Sequence, residues 1–382
     1  MVTPNNEYTV YVDGSTYYAK DLITGDLQSN SGFIGLMTTL NTMFGSGGGK
    51  IRLRPGEYDI ASGGFNFTNP VSIEGAGKGR TRLVRTAGVA WPTLIFSGGN
   101  TNLSQLTIDG NCISYPVSTG ASEIQISGTG NIVRDVEVKN WNGAGGLNNH
   151  GELTVDTCWI SGPNPNIAGK SQYGVLSYTD STSTTIRNCN IQWCDLNAVF
   201  SYGRTIIRDT YMANNARVAG GNIGMVARAD NDVGKQFCGV YGCTIETGLG
   251  GDSGIELANS DFECIGNKIS GCNSSGIISD PSVPVGKCIM SKNIIRNCGY
   301  GAITIEYNNQ KYFSITDNTL SDDQATPTQK YGVLIAHIGT PYTPIAADYY
   351  TIRNNILFGN TMAPWLDMGT GTHKTVRDNI IA

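Results

Sequence analysis

The sequence predicts an all-β chain, wound as a single-stranded right-handed parallel β-helix of about twelve rungs with an amphipathic capping helix near its N-terminus. Three observations carry this. First, a short string recurs. Ile186-Arg187-Asn188-Cys189-Asn190-Ile191 returns as Val240-Tyr241-Gly242-Cys243-Thr244-Ile245 and as Cys264-Ile265-Gly266-Asn267-Lys268-Ile269, with further copies ending at Ile295, Leu320, Leu357 and Ile381. Second, 382 residues are too many for one ordinary globular core, and a solenoid solves this by growing in one dimension. Third, 50 glycines and only 15% charged residues fit many tight turns in a well-buried chain. Its aliphatic residues are mixed with Thr, Ser and Asn rather than Lys and Glu, which suits strands.

The elements follow in order. Residues 1–30 read as an extended N-terminal arm, made sticky by Tyr8, Tyr11, Tyr17 and Tyr18 and packed along the outside of the body. Residues 31–49 form the capping helix and a Gly-rich turn. Phe33, Leu36, Met37, Leu40, Met43 and Phe44 fall on one helical face, with Ser31 as N-cap and Gly45 as the stop. Residues 50–382 form the β-helix. Its rungs are indexed by the last apolar residue of the recurring string: Ile73, Ile108, Val138, Ile160, Ile191, Met212, Ile245, Ile269, Ile295, Leu320, Leu357 and Ile381.

Two residues before each index runs a column that ends in Asn267, Asn293, Asn318, Asn355 and Asn379. Identical amides stacked at strand spacing hydrogen-bond to one another, so this column reads as an internal ladder. The cysteines repeat on the same ruler (Cys158, Cys189 and Cys243 in that column; Cys194, Cys272 and Cys298 in another). They read as stacked free thiols, and no Cys-x-x-Cys pair suggests zinc.

The net charge of −5 argues against a nucleic-acid surface. No apolar run reaches the length of a membrane span. The chain opens on polar residues, so no signal peptide is expected within the given sequence. It ends at Ile380-Ile381-Ala382 inside a rung, which asks for a cover such as another subunit.

The stretch from the helix through Gly47-Gly48-Gly49-Lys50-Ile51-Arg52-Leu53-Arg54-Pro55-Gly56-Glu57-Tyr58-Asp59-Ile60 to Val71-Ser72-Ile73-Glu74-Gly75-Ala76-Gly77 resembles the opening of pectate-lyase-like right-handed parallel β-helix proteins. That superfamily includes polysaccharide lyases, uronate epimerases and tailspike depolymerases. The resemblance implies the fold, an extracellular or cell- or virion-surface location and a polysaccharide substrate. Its tailspike members imply a homo-oligomer, a trimer.

A second motif marks where chemistry sits. Strands of the form Gly-Ile-x-Leu-x follow the long turns, as in Gly174-Val175-Leu176-Ser177-Tyr178, Gly224 to Arg228, Gly254 to Leu257, Gly276 to Asp280, Ala302 to Glu306 and Gly332 to His337. With the aliphatic residues inward, Tyr178, Asp180, Arg228, Asp230, Glu256, Asp280, Thr304 and Glu306 point outward, with His337 at the same edge. This is the expected groove for an extended polymer. Its loops carry Tyr115, Trp141, Tyr300, Tyr307 and Tyr342 for stacking on sugar rings. His150, in Asn148-Asn149-His150-Gly151, joins its upstream end. His150, Asp280, Glu306, His337 and Lys170 are the substrate-binding candidates.

Two mechanisms fit, and the sequence leaves both open. Elimination from a uronate is the one the resemblance favours. It implies calcium, held here by Asp180, Asp230 and Asp280, with Arg228 as base or charge clamp and Tyr178 as acid. Glycoside hydrolysis would use the carboxylates of Asp230 and Glu256 on adjacent rungs. The paired Asp, His-Gly and Arg-x-Lys of polygalacturonases is absent, as is the Asp-Pro-His string of alginate epimerases. A non-catalytic carbohydrate-binding or structural rod is the third reading.

Overall fold

The structure, a computed structural model, describes residues 6–61, 64–87, 92–115, 122–163, 171–218, 224–228, 237–246, 253–258, 261–279, 287–306, 311–339 and 341–382, with the backbone alone at 226–228. The chain forms a parallel β-solenoid of about 11 turns, close to the twelve expected, with one short α-helix near the N-terminus. Contacts gather it into two units, Met1–Asn190 and Ile191–Ala382.

In the first unit the N-terminal arm is part of the sheet. Strand Glu7–Asp13 pairs antiparallel with Thr16–Asp21, and on its other side runs parallel to Gly49–Leu53, Tyr8 against Ile51. Tyr8 and Val10 are buried by this pairing. The helix spans Phe33–Phe44 and buries Phe33, Leu36, Met37, Leu40 and Phe44. Met43, expected on that face, is exposed. The N-cap is Gly32 rather than Ser31. Asn30 explains the shift, because its Oδ1 accepts the Gly32 N–H at 2.9 Å and occupies the helix entrance. Phe33, Ile34 and Met37 share a void of about 10 Å³ with Leu53, Ile60, Phe67 and Leu83, so the helix covers the first turns. A void so small and apolar stays dry.

The register of this unit corrects one index. Tyr58, Leu83, Ile108, Val138 and Ile160 stack in one column. Ile73 stacks instead between Ile51 and Leu103, in a different sheet of the same coil. Apolar-x-apolar spacing marks a strand but does not say which side of the coil it lies on.

Inside this unit lies a buried ion pair. Arg85 follows the inward-facing Leu83 by two positions and donates to Glu123 and, at 3.1–3.2 Å, to Thr93 Oγ1. Both charged side chains are fully buried. Burial raises the Glu123 carboxyl above its usual value, with Arg85 opposing. Glu123 Oε1 and Arg85 Nη1 lack hydrogen-bond partners among the described residues. Such a pair is costly to break and weakly stabilising when whole. Arg85→Met is expected to cost about 3–5 kcal/mol in urea unfolding, and Arg85→Met with Glu123→Leu markedly less. Additive losses in the double variant would contradict this.

In the second unit Met212, Ile245, Ile269, Ile295, Leu320, Leu357 and Ile381 stack as the sequence indexes them. The Asn ladder is present. Nδ2 of Asn267, Asn293, Asn318 and Asn355 each donates to Oδ1 of the next Asn at 2.9–3.0 Å, ending on Asn379. Each amide also donates to a backbone carbonyl of the preceding turn, and each of these Oδ1 atoms also accepts a backbone N–H. The residue before each ladder position is left-handed: Gly266, Lys292, Asp317, Asn354 and Asp378. This is why Gly, Asn and Asp recur there in the string. All ten cysteines are free and buried, as expected of stacked thiols.

Candidate functional site

The first unit assembles a polar cluster on the outward side of strand Gly143–Asp156. Leu147, Asn148 and Asn149 pair with Val175, Leu176 and Ser177 of strand Ser171–Ser177. One step further along, His150 meets Tyr178. Their rings stack with centroids 4.1 Å apart and planes 15° from parallel. His150 Nδ1 lies 3.0 and 3.1 Å from the two carboxylate oxygens of Asp180. Asn148 Nδ2 sits 3.5 Å from Tyr178 Oη.

Local sequence fixes this arrangement. Asn149 is fully buried, and its Nδ2 faces Gly151 O, Ser181 Oγ, Ser183 O and Thr184 Oγ1 at 2.8–3.1 Å. Its Oδ1 accepts the Gly151 N–H at 2.9 Å. Ser177, Ser181 and Thr184 close the network among themselves. The turn that carries Tyr178 and Asp180 is therefore tied to the turn that carries His150. Gly151 has no substitute, because a Cβ there would stand 2.0 Å from Gly128 O. Asn-Asn-His-Gly thus divides its work: an anchor, an outward imidazole and a close backbone contact.

Chemically, the pair sets the histidine tautomer. When Asp180 accepts from Nδ1–H, the lone pair lies on Nε2, away from the carboxylate. Asp180 is exposed, so water screens the pair, which acts chiefly to orient the ring. A base and a phenolic O–H then stand side by side. The strand face continues from Asn148 to the half-buried Gln125 and Ile95, a floor for an extended ligand.

The second unit holds the other candidates. Arg228 ends strand Met225–Arg228 and pairs in register with Ala258, whereas Glu256 pairs with Val226 and Ile278. Arg228 and Glu256 therefore occupy two columns of one face, two residues apart. That face is more covered than expected. Phe200, Ile278 and Leu334 are buried on it. Thr304, read as outward and accessible, is fully buried, its Oγ1 2.7 Å from Ser275 Oγ. The outward positions here carry apolar residues, which bury rather than face water. Tyr331, Leu334 and Ala336 form an outer apolar cluster packed by Ile338, Tyr342 and Leu366, so Tyr342 is engaged in packing. Glu306 is nearly buried. Its Oε1 accepts the Ile338 N–H at 3.1 Å and lies 3.2 Å from His337 Nδ1. His337 in turn exchanges backbone hydrogen bonds with Thr343. This pair fastens the turn.

Among the expected wall aromatics, Trp141 is fully buried, its ring against Gly146 inside the first unit. Tyr300 lies under the Lys330 ammonium at 3.9 Å. Asp230, Asp280, Lys170 and Tyr307 lie outside the described residues. Of the three expected calcium ligands, only Asp180 is described, and both its oxygens face His150. Among the described residues no group of three His, Cys, Asp or Glu side chains is placed to hold a metal ion.

The sequence reading set His150 at the margin and missed Asn148. The signal was present, since Gly146-Leu147-Asn148-Asn149-His150 aligns with Gly174-Val175-Leu176-Ser177-Tyr178. Two asparagines in place of aliphatics hid it.

No family model and no curated protein matches the chain. Solved structures do. The A-module of the Azotobacter vinelandii mannuronan C-5 epimerase AlgE6 matches with a TM-score of 0.74 at 16% identity, covering 91% of this chain and 94% of that one. The catalytic domain of a GH87 alpha-1,3-glucanase matches with a TM-score of 0.65 at 12% identity, over 91% of this chain and 67% of that one. The PL6 polysaccharide lyase Pedsa3628 from Pseudopedobacter saltans matches with a TM-score of 0.53 at 12% identity, over 90% and 91%. At such identities the likeness concerns the fold. The chain has the parallel β-helix fold that these epimerase, glucanase and lyase structures share.

Proposed function

We propose that this chain is a carbohydrate-active enzyme that cleaves a uronate polysaccharide by β-elimination, with His150 as base and Tyr178 as acid. Its structural neighbours are an epimerase, a lyase and a hydrolase of polysaccharides, which supports the substrate class and leaves the reaction to the site. The observation that carries the reaction is the His150–Tyr178 stack with Asp180 on Nδ1. An imidazole beside a phenol is an acid–base pair for proton transfer at carbon. Hydrolysis asks instead for two carboxylates flanking the bond.

In this reading the sugar carboxylate acidifies the C5 proton. Nε2 of His150 takes that proton, the C5–H electrons form the C4=C5 bond, and the C4–O4 bond breaks. Tyr178 Oη–H passes its proton to O4. Stacked side by side, the two groups act on one face, which suits syn elimination. Arg228, the base expected from the sequence, and Lys170 remain candidates for clamping substrate carboxylates. With an extended polymer as substrate, the enzyme would act outside the cell or on a virion.

The test is a panel of polyuronates and neutral glycans, with and without chelator, followed by ultraviolet absorbance of the conjugated product and by reducing ends. Absorbance rising with reducing ends on a polyuronate is the expected result. Its loss on chelation would assign calcium a part. Reducing ends without absorbance would assign hydrolysis and overturn the proposal.

A further inference from the structure

We infer a second glycan-binding site in the second unit, a strip of side chains at one corner of the solenoid that takes an acidic glycan strand lying along the turns. Its ligand class rests on the uronate reading above. The strip is a single register column. Asp261 opens strand Asp261–Ile265, and one step outside the paired residues Phe262, Cys288, Phe313, Tyr350 and Lys374 come Lys287, Tyr312, Tyr349 and His373. Corner hydrogen bonds confirm the alignment: Phe262 N–H to Lys287 O, Cys288 N–H to Tyr312 O, and Tyr350 N–H to His373 O. At strand spacing, the four intervals from Asp261 to His373 span roughly 19 Å.

Tyr312, Tyr349 and His373 form a stack, with centroids 5.2 and 4.3 Å apart. Asp348 fixes its far end, accepting the Tyr349 and His373 N–H groups at 2.9 and 2.7 Å and facing His373 Nδ1 at 3.2 Å. The stack is not a core feature, because Tyr312 is 57% and Tyr349 43% exposed. Both tyrosines are also left-handed, with φ of 61° and 55°, while Asp261, Lys287 and His373 in the same column are not. A bulky residue rarely adopts that conformation, and Gly or Asn would do so with less strain. Left-handed residues mark other corners of the coil too, so what sets this column apart is that its two left-handed residues carry exposed aromatic rings.

Tyr349 covers one face of Tyr312. Beside the stack lies an open hollow of about 490 Å³, lined by Asp261, Lys287, Tyr312, Ser314 and Tyr349 among others. The Lys287 ammonium makes no ion pair among the described residues, and Asp261 Oδ1 accepts the Lys287 N–H at 3.0 Å. A sugar ring in the hollow would continue the stack, its C–H face on Tyr312. Its carboxylate would meet Lys287 and its hydroxyls Asp261. A flat aromatic face with the Lys287 ammonium beside it suits an acidic pyranoside better than a neutral one.

The experiment is calorimetric titration of the full chain carrying His150→Gln, to prevent turnover, with an oligomannuronate and with an uncharged cello-oligosaccharide. Adding Tyr312→Ala is expected to weaken oligomannuronate binding at one site roughly tenfold or more and to lower the stoichiometry by one per chain. Tyr312→Trp is expected to restore both. Lys287→Gln is expected to weaken the oligomannuronate and not the neutral probe. Unchanged thermal melting shows that each variant folds. Oligomannuronate binding that ignores Tyr312→Ala, or equal weakening of both probes by Lys287→Gln, would overturn the site. Failure of the catalytic reading shows separately, as absence of turnover by the wild-type chain on every polyuronate.

Discussion

Replacing His150 with Gln is expected to lower kcat on a polyuronate by about 10²–10⁴-fold with little change in KM, the range for loss of a positioned acid or base. Gln retains a polar group near Asp180 and Tyr178 but cannot accept a proton at the Nε2 position. Tyr178→Phe is expected to fall in the same range, since the ring still stacks and only the Oη proton is lost. Asp180→Asn should cost less than either, because it releases the tautomer while leaving the imidazole in place. The two strongest variants combined should cost little more than one alone, because they serve one step. Initial rates of the four variants against the wild type check this. A His150→Gln enzyme with wild-type kcat would remove His150 from the chemistry.

Asn318→Leu is expected to destabilise the chain by about 3–5 kcal/mol. Asn318 Oδ1 accepts both the backbone N–H and the side-chain amide of Asn293. Its own Nδ2 supplies Asn355 Oδ1 and Met290 O. Leu has nearly the right volume and none of these bonds, so two buried donors lose their acceptor at about 1–3 kcal/mol each. Asn379→Leu, at the half-buried last rung of the ladder, should cost clearly less. Urea midpoints of the two variants test the gradient. Equal, small losses would show that the ladder records register without holding it.

These two expectations differ in how far the sequence announced them. The ladder was legible because Asn267 to Asn379 recur at fixed offset from an apolar index, and repeats expose register that single strands conceal. Even there Ile73 was indexed to the wrong sheet, since one coil contains several apolar-x-apolar strands. The site was less legible for a related reason. Alternation tells which face a residue takes but not what folds over that face. Thr304 and Glu306 were read as groove residues, yet Thr304 is fully buried against Ser275, and the Glu306 carboxylate holds the Ile338 N–H. Trp141 was read as a wall aromatic and lies in the core. His150 was legible only by aligning its strand with that of Tyr178, past two asparagines whose function is anchoring rather than packing. Nothing in the sequence distinguished Tyr312 and Tyr349 from other tyrosines, because their left-handed backbone and shared column appear only in three dimensions.

β-Elimination at His150 and Tyr178 is decided by the structure of the chain ends that the wild-type enzyme creates from a polyuronate, read by proton NMR. The expected result is a C4=C5 double bond on the sugar beyond the cut and an ordinary reducing end before it, both missing when His150→Gln replaces the wild type. Saturated sugars on both sides of the cut would contradict it.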